Sequence, residues 1–255
     1  ICSEMFRLGK FKLVVPELVR FLQEYPAYAQ LDELNYMLGV STFYTKDYVN
    51  AVNYLKQSQQ GPNFSNKAQF FIASIFEEQK RTDLAISQLV DLKANISFQD
   101  TLMVSVQDKL KLLYGKERKF ENLTQLFADI DGSDSLRKSK WAMDIGQFAQ
   151  DAKNYELADK WFGQAILLNQ DEIGALAALG LAKSKAVQKE YKKSNEFLVS
   201  EFVQQGSSYY HLPDAIVGLA YLQMADNFIH LKNLPQAKAI LQSLLASSTD
   251  NDVKV

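Results

Sequence analysis

The side chains that most often carry out chemistry in proteins are sparse in this sequence. Its two histidines, His211 and His230, are 19 residues apart, and its single cysteine is Cys2. Two histidines cannot build a site with several histidine ligands, and they leave little from which to assemble a histidine-based triad. Glu77 and Glu78 are adjacent, and neighbours on a helix point about 100° apart, so they do not form an acid–base pair.

Motifs that hold cofactors or metals are also missing. The sequence contains no glycine-rich phosphate loop followed by Lys and Ser or Thr, and no dinucleotide-binding fingerprint. The segment 129–140 is rich in carboxylates, but a calcium loop requires Gly at its sixth position and Glu at its twelfth, where this chain has Asp134 and Lys140. Helix capping by Asp or Ser is therefore the expected use of this segment. The sequence predicts a protein that is not an enzyme and that has neither a cofactor nor a metal site.

Composition excludes further classes of function. The chain of 255 residues has a formal charge of −2 and a pI near 5.8, which does not favour a nucleic-acid partner. The short basic run Lys189–Lys193 is interpreted as a solvated helix face. No stretch of about 18 apolar residues is present, so no transmembrane helix is predicted. Cys2 cannot form an internal disulfide and is interpreted as an ordinary helix cysteine rather than a lipidation site.

The sequence predicts that any functional surface is built on helices. Five prolines are too few for an all-β chain of this length, and apolar residues recur at helical spacing. Two series of small residues also repeat along the chain. The first is Gly39, Ala73, Gly146 and Gly180, and the second is Ala51, Ala85, Ala158 and Ala237. Two steps in the first series and one in the second are 34 residues, and each series also has a step of 73 residues. Small residues are expected where two helices of a hairpin approach closely.

An aromatic or turn residue stands three positions before each member of the second series, and before the matching residues of the less regular repeats. These preceding residues are Tyr48, Thr82, Phe120, Tyr155, Tyr191 and Leu234. Each is interpreted as the residue at the turn that leads into the second helix of a hairpin.

This pattern resembles the tetratricopeptide repeat family, whose unit is about 34 residues long and contains two antiparallel helices. Met37-Leu38-Gly39 is similar to the Leu-Gly of the family's first helix, and Tyr48 to Ala51 is similar to the start of its second helix. The segment 154–158 is the clearest match. Gly9-Lys10-Phe11, with Pro26 further on, resembles the second half of a unit whose first helix is cut off.

The resemblance implies an all-α fold, an α-solenoid superhelix of about six full hairpins plus an N-terminal half. Residues 1–206 would hold the regular hairpins, and residues 207–255 a final hairpin continuous with them. The repeats are degenerate near 104–138, where Lys111 and Leu123 replace small residues, and near 173–206, where about two extra residues precede Tyr191.

In this family the first helix of each hairpin lines a concave groove, and its second, fifth, ninth and twelfth positions usually face inward. The register carried over to this chain predicts partner-binding residues at those positions, namely Tyr36, Val40, Phe43, Phe70 and Met143. Large aromatic side chains such as Tyr36 and Phe70 dominate many interfaces. They could equally pack between hairpins. Members that hold a chaperone's C-terminal carboxylate have Lys and Asn at inward positions, and the residues found here do not support that activity.

We therefore expect a protein–protein interaction scaffold that binds a partner through the groove. Residues 21–26, 37–39 and 48–55 resemble repeat proteins of the bacterial cell envelope, which suggests pilus, flagellar, secretion or outer-membrane machinery and a periplasmic location, with the cytoplasm as the alternative. A second hypothesis is a homo-oligomer, in which Leu13, Val14, Leu18 and Phe21 of the N-terminal half pair with another copy or with preceding residues. A third is a regulatory module of a larger protein.

Overall fold

The computed structural model describes residues 1–28, 30–169, 171–204, 208–209, 212 and 214–247. These residues form fourteen α-helices and one π-helical segment, and no strand. The helices are α1 (Cys2–Arg7), α2 (Phe11–Glu24), α3 (Leu31–Tyr44), α4 (Tyr48–Ser58), α5 (Ser65–Glu78), α6 (Thr82–Asn95), α7 (Thr101–Lys116), α8 (Phe120–Ala128), α9 (Ser135–Asp151), α10 (Tyr155–Leu168), α11 (Glu172–Val187), α12 (Tyr191–Leu198), α13 (Asp214–His230) and α14 (Leu234–Ser247). The π-helical segment, Val199–Val203, directly follows α12.

Each turn between an odd-numbered helix and the next helix has the same backbone. A residue with positive φ follows the first helix, and its successor donates its N–H to the carbonyl five residues earlier, as in Asp47 N to Thr42 O at 2.9 Å and Asn154 N to Ala149 O at 2.8 Å. This is the hydrogen-bond pattern of a Schellman cap. The positive-φ residues are Gly9, Lys46, Lys80, Arg118, Lys153, Lys189 and Lys232. In six of these seven turns a Lys or Arg occupies a position where glycine is the usual choice, and only the first of them has glycine.

Six second helices begin at the residues that the sequence places at the turns. Tyr48, Thr82, Phe120, Tyr155, Tyr191 and Leu234 are the first residues of α4, α6, α8, α10, α12 and α14. The residue three positions later is buried in every case, with 0% exposure for Ala51, Ala85 and Ala158. This position faces inward in each second helix, whether it holds Ala, Leu or Ser.

Close helix approach explains the glycines of the first series, with one correction. A side chain at Gly39 would collide with Leu55 of the same hairpin, and one at Gly146 would collide with Phe162 of the same hairpin. Gly180 was expected to play this role in its own hairpin, but it lies against Phe162, which belongs to the preceding one. Because α11 extends two residues further than a strict 34-residue step allows, Ala182 takes the equivalent place, seven residues before Lys189.

The N-terminal half-hairpin is more complete than the sequence suggested. A short first helix, α1, precedes α2 and packs on it. Val14 and Leu18 of α2 were expected to form an open apolar face, but they are 0% and 2% exposed, in a cluster with Met37 and Leu38 of α3. Only Leu13 of the proposed pairing residues is largely exposed, at 53%.

Capping explains the acidic segment before α9. The side chain of Asp134 accepts a hydrogen bond from Arg137 N at 3.0 Å, and that of Asp131 accepts one from Ser133 N at 2.9 Å. Both bonds satisfy backbone donors at the start of the helix and its turn. These contacts confirm the capping interpretation.

By its internal contacts the chain divides into two units, residues 1–113 and 114–255, with the division inside α7. The predicted boundary at residues 206 and 207 lies outside the described residues, as does His211. Within the ranges described above, no helix has the length and apolar character needed to cross a bilayer.

Candidate partner-binding surface

Three of the aromatic residues predicted to bind a partner come together in the first unit. Tyr36 and Phe43 lie on α3 and Phe70 lies on α5, and all three contact the ring of Phe71. Their ring centroids are 6.0, 5.7 and 6.3 Å from that of Phe71, and the planes are inclined by 70–88°. Edge-to-face geometry at these distances is favourable for aromatic pairs. We call Tyr36, Phe43, Phe70 and Phe71 the aromatic layer.

Further rings extend the aromatic layer toward the N-terminal hairpin. Tyr36 contacts Phe64 at 5.0 Å, and Phe43 contacts Tyr44 at 5.2 Å. Tyr44 in turn stacks on Phe11 at 4.4 Å with an interplanar angle of 4°, although its side chain is 55% exposed. The aromatic contacts are therefore continuous from α2 to α5.

An aliphatic cluster lies beneath the aromatic layer. Val40, Leu55, Ile72 and Ile75 are buried together, and the members of the layer Tyr36, Phe43 and Phe71 are partly buried against them. Val40 was predicted to face a partner, but it is only 3% exposed and belongs to this core. Ser74, at the same ninth position of α5, is also buried and donates to Phe70 O. The residue at the ninth position is therefore buried in both α3 and α5 and is not available to a partner.

Charged groups border the layer beside Phe70. Lys109 Nζ lies 5.6 Å from the centroid of the Phe70 ring and 2.6 Å from Glu77 Oε2. Each of the two charged side chains is about one quarter exposed. The ammonium group is thus attracted both by the ring face and by the carboxylate, which orders α7 against α5 within the first unit.

Burial also changes the chemistry of Tyr36. Desolvation, with a smaller contribution from Tyr44, raises the pKa of the Tyr36 phenol to about 12. The phenol is therefore neutral at physiological pH, and Tyr36 contributes an uncharged, hydrogen-bonding edge to the layer.

Met143 lies on α9 in the second unit and is partly exposed. Its neighbour Asp144 is also partly exposed, and Ile145 is buried. The aromatic layer belongs to the first unit, and the role of Met143 in partner binding stays a prediction.

Phe71 is the central residue of the layer, and it was missed from the sequence because only the inward positions of a repeat were considered. Adjacent residues of a helix point about 100° apart, so Phe71 does not fall at one of those inward positions. A usable signal was present: Phe64 and Phe71 are seven residues apart, which places them on one face of a helical path, and both contact Tyr36.

The composition of the aromatic layer is typical of binding surfaces. Within the described part of the chain, no group of three or more His, Cys, Asp or Glu side chains could hold a metal ion. The aromatic layer combines partly exposed rings with a rigid aliphatic base, which is the composition of surfaces that bury apolar side chains of a partner.

Comparison with known proteins places this fold in a class. No protein-family model matches the sequence, and neither does any curated protein. The C-terminal part of a TPR repeat-containing protein from Cytophaga hutchinsonii matches with a TM-score of 0.62 and 16% identity, over 99% of this chain and 96% of that chain. A tetratricopeptide repeat protein from Parabacteroides merdae matches with a TM-score of 0.55 and 14% identity, over 99% and 93% of the two chains.

The protein therefore has a tetratricopeptide-repeat-like fold, an all-α solenoid of helical hairpins, as the sequence predicts. At these identities the likeness concerns the fold.

Proposed function

We propose that the protein is an interaction scaffold whose aromatic layer binds an apolar segment of a partner protein. The observation that carries this proposal is the grouping of Tyr36, Phe43 and Phe70 around Phe71, with each ring partly exposed. Aromatic side chains lose little conformational entropy on binding, and here their contacts with each other already fix their orientation.

The hairpin fold supports the same proposal. Helical repeat arrays present their first helices side by side, and such surfaces bind extended or helical segments. In this chain α3 and α5 are neighbouring first helices, and they supply all of the aromatic layer. A role in bacterial envelope assemblies remains a prediction from the sequence resemblance alone.

The test is a selection of binding peptides with the chain of residues 1–255, using a displayed library of random 15-residue peptides. Binding of the selected peptides is then compared between the original chain and a Phe43→Ala/Phe70→Ala variant. Loss of two aromatic contacts at the centre of an interface should weaken binding at least about tenfold, since each such residue commonly contributes more than 1 kcal/mol.

Phe98→Ala is the control, because Phe98 belongs to the same unit, is 56% exposed and is not among the partners described for the rings of the aromatic layer. Selected peptides that bind all three chains equally would contradict the proposal. A large loss of thermal stability in the double variant would show instead that the rings act as core.

A further inference from the structure

A second candidate site lies in the first unit, where the turn between α1 and α2 meets the end of α3. This pocket, which we call the Phe11–Tyr44 pocket, has a volume of about 450 Å³. Its lining includes Lys10, Phe11, Lys12, Leu13 and Tyr44. The volume is within the range of sites that accept small ligands or a few side chains. None of the lining residues belongs to the aromatic layer, so the pocket is a site of its own.

Two stacked rings and a leucine form the apolar part of the pocket. The ring centroids of Phe11 and Tyr44 are 4.4 Å apart, and the ring planes are inclined by only 4°. Tyr44 and Leu13 are nevertheless 55% and 53% exposed, so much of both side chains is open to solvent. Because the stacking already fixes the orientation of the rings, an apolar side chain of a ligand gains contact area here at little entropic cost.

Two lysines supply the charge of the pocket. Lys10 and Lys12 are both exposed, and neither has an ion-pair partner among the described residues. The first turn of α2 contains no acidic side chain. The carboxylates of α1 and α2 that are nearest in sequence, Glu4 and Glu17, each pair with an arginine three residues away, and Asp47 caps α4. The pocket therefore combines an apolar wall with positive charge that no described carboxylate neutralises.

An equivalent turn in the second unit has the same ring stacking but a different charge. Tyr191 of α12 and His230 of α13 stack with their centroids 4.8 Å apart and an interplanar angle of 4°. The residue before α12 is Glu190, whose carboxylate accepts a hydrogen bond from Lys193 Nζ at 2.8 Å. The second unit thus has a carboxylate and a lysine paired with each other beside its stacked rings.

The first unit has no such carboxylate beside its rings. Relative to the positive-φ residue of each turn, Lys10 takes the place of Glu190, and Leu13 takes the place of Lys193. Lys12 adds a second positive charge within the lining. Charge complementarity therefore favours an acidic ligand, and the exposed rings favour one that also carries an aromatic or aliphatic side chain.

We propose that the Phe11–Tyr44 pocket binds an acidic peptide segment of a partner protein. An aromatic side chain of the segment lies against Tyr44 and Leu13, and the carboxylates that flank it lie next to Lys10 and Lys12. A nucleic acid is a weaker fit, because two lysines on a chain of net charge −2 give little attraction for a polyanion. The proposal does not rest on the aromatic layer.

The experiment measures fluorescence anisotropy of fluorescein-labelled Glu-Glu-Phe-Glu amide titrated with the chain of residues 1–255. Gln-Gln-Phe-Gln amide, which has a similar shape but no carboxylates, is the matched probe. Each exposed charge pair contributes little, so the acidic probe should bind about threefold to tenfold more tightly than the neutral one. The difference should shrink as salt is added, because exposed charges are screened. Equal affinities for the two probes at low salt would overturn the proposal.

Lys10→Gln/Lys12→Gln tests whether this pocket is the source of the preference. Both side chains are exposed, so the variant should fold, and it should bind the acidic and neutral probes equally. Lys192→Gln/Lys193→Gln is the matched control, because it removes the same charge from the equivalent turn of the second unit and should keep the preference. Equal losses in the two variants would mean that net charge alone attracts the probe, which contradicts the proposal.

Leu13→Ala tests the apolar half of the site. Because Leu13 is 53% exposed, the variant should keep the fold while binding of both probes weakens by about twofold to fivefold. Val49→Ala is the control, since Val49 is 73% exposed in the same unit and does not line the pocket. If Glu-Glu-Ala-Glu amide bound as tightly as the aromatic probe, the pocket would bind anions in general, phosphates of nucleic acids included, and the proposal would be wrong.

Discussion

The two units form the same kind of helical hairpin, but different side chains fill their interiors. In the first unit, aromatic rings from α2 to α5 contact each other over an aliphatic cluster. In the second, the buried residues of α11 are Gly, Ala and Ser, which allow the helix to approach its neighbours closely. Polar side chains then enter the second unit's interior, with Asn227 at 0% exposure and Asn195 at 6%.

The turns are nevertheless the same in both units. Lys46 of the first unit and Lys153 of the second have φ values of 65° and 61° and equivalent Schellman hydrogen bonds. The backbone repeat is therefore independent of how the interior is filled. The same hairpin is therefore compatible with an aromatic layer in the first unit and a partly polar interior in the second.

The largest effect should follow from removing an aromatic side chain that truly belongs to a core. Phe162 is 1% exposed and packs against both Gly146 and Gly180, so Phe162→Ala should lower the free energy of unfolding by about 3–5 kcal/mol. Phe70→Ala in the aromatic layer should lower it by less than half as much. Urea unfolding followed by helical circular dichroism measures both, and equal losses would place Phe70 in the core.

Close packing around Gly174 in the second unit should not tolerate an added methyl group. A Cβ at Gly174 would overlap the backbone carbonyl oxygen of Asn169, so Gly174→Ala should cost about 1–3 kcal/mol. Gly163→Ala, in α10 of the same unit, meets no atom within 4 Å and should stabilise the helix by about 0.5–1 kcal/mol. If both substitutions changed the free energy of unfolding in the same direction, close helix approach would not be the reason for glycine at position 174.

The shared turn predicts equal responses in the two units. Lys46→Gly and Lys153→Gly each relieve the steric cost of a left-handed conformation. Each should therefore raise the free energy of unfolding by about 0.5–1 kcal/mol. Thermal unfolding of the two variants and of their combination checks this. A gain in one unit and a loss in the other would mean that the turns are not equivalent.

Alkaline pH should weaken the first unit through Tyr36. The pKa of this phenol is about 12 in the folded protein and near 10 when unfolded, so the unfolded state loses its proton first. The stabilising contribution is fully present below about pH 10 and is lost as the pH rises toward 12. Tyr36→Phe should therefore show a smaller fall in stability between pH 9 and 11 than the original chain.

Periodicity made the fold predictable, because small and aromatic residues recur at positions that every hairpin uses. The turn residues from Tyr48 to Leu234 could be identified from that pattern, and each is the first residue of a second helix in the structure. Partner-facing positions were harder, since side-chain burial depends on the neighbouring hairpin rather than on spacing. Val40 is buried for this reason, and the hydrogen bond from Asn227 to Asn195 joins residues 32 positions apart that no local pattern connects.

The most direct test of the partner-binding surface is amide hydrogen exchange of the full chain with and without a peptide selected for binding. The account predicts slower exchange in α3 and α5, which carry Tyr36, Phe43 and Phe70, with the other helices of the first unit changed less. Protection elsewhere in the chain, with α3 and α5 unchanged, would contradict it.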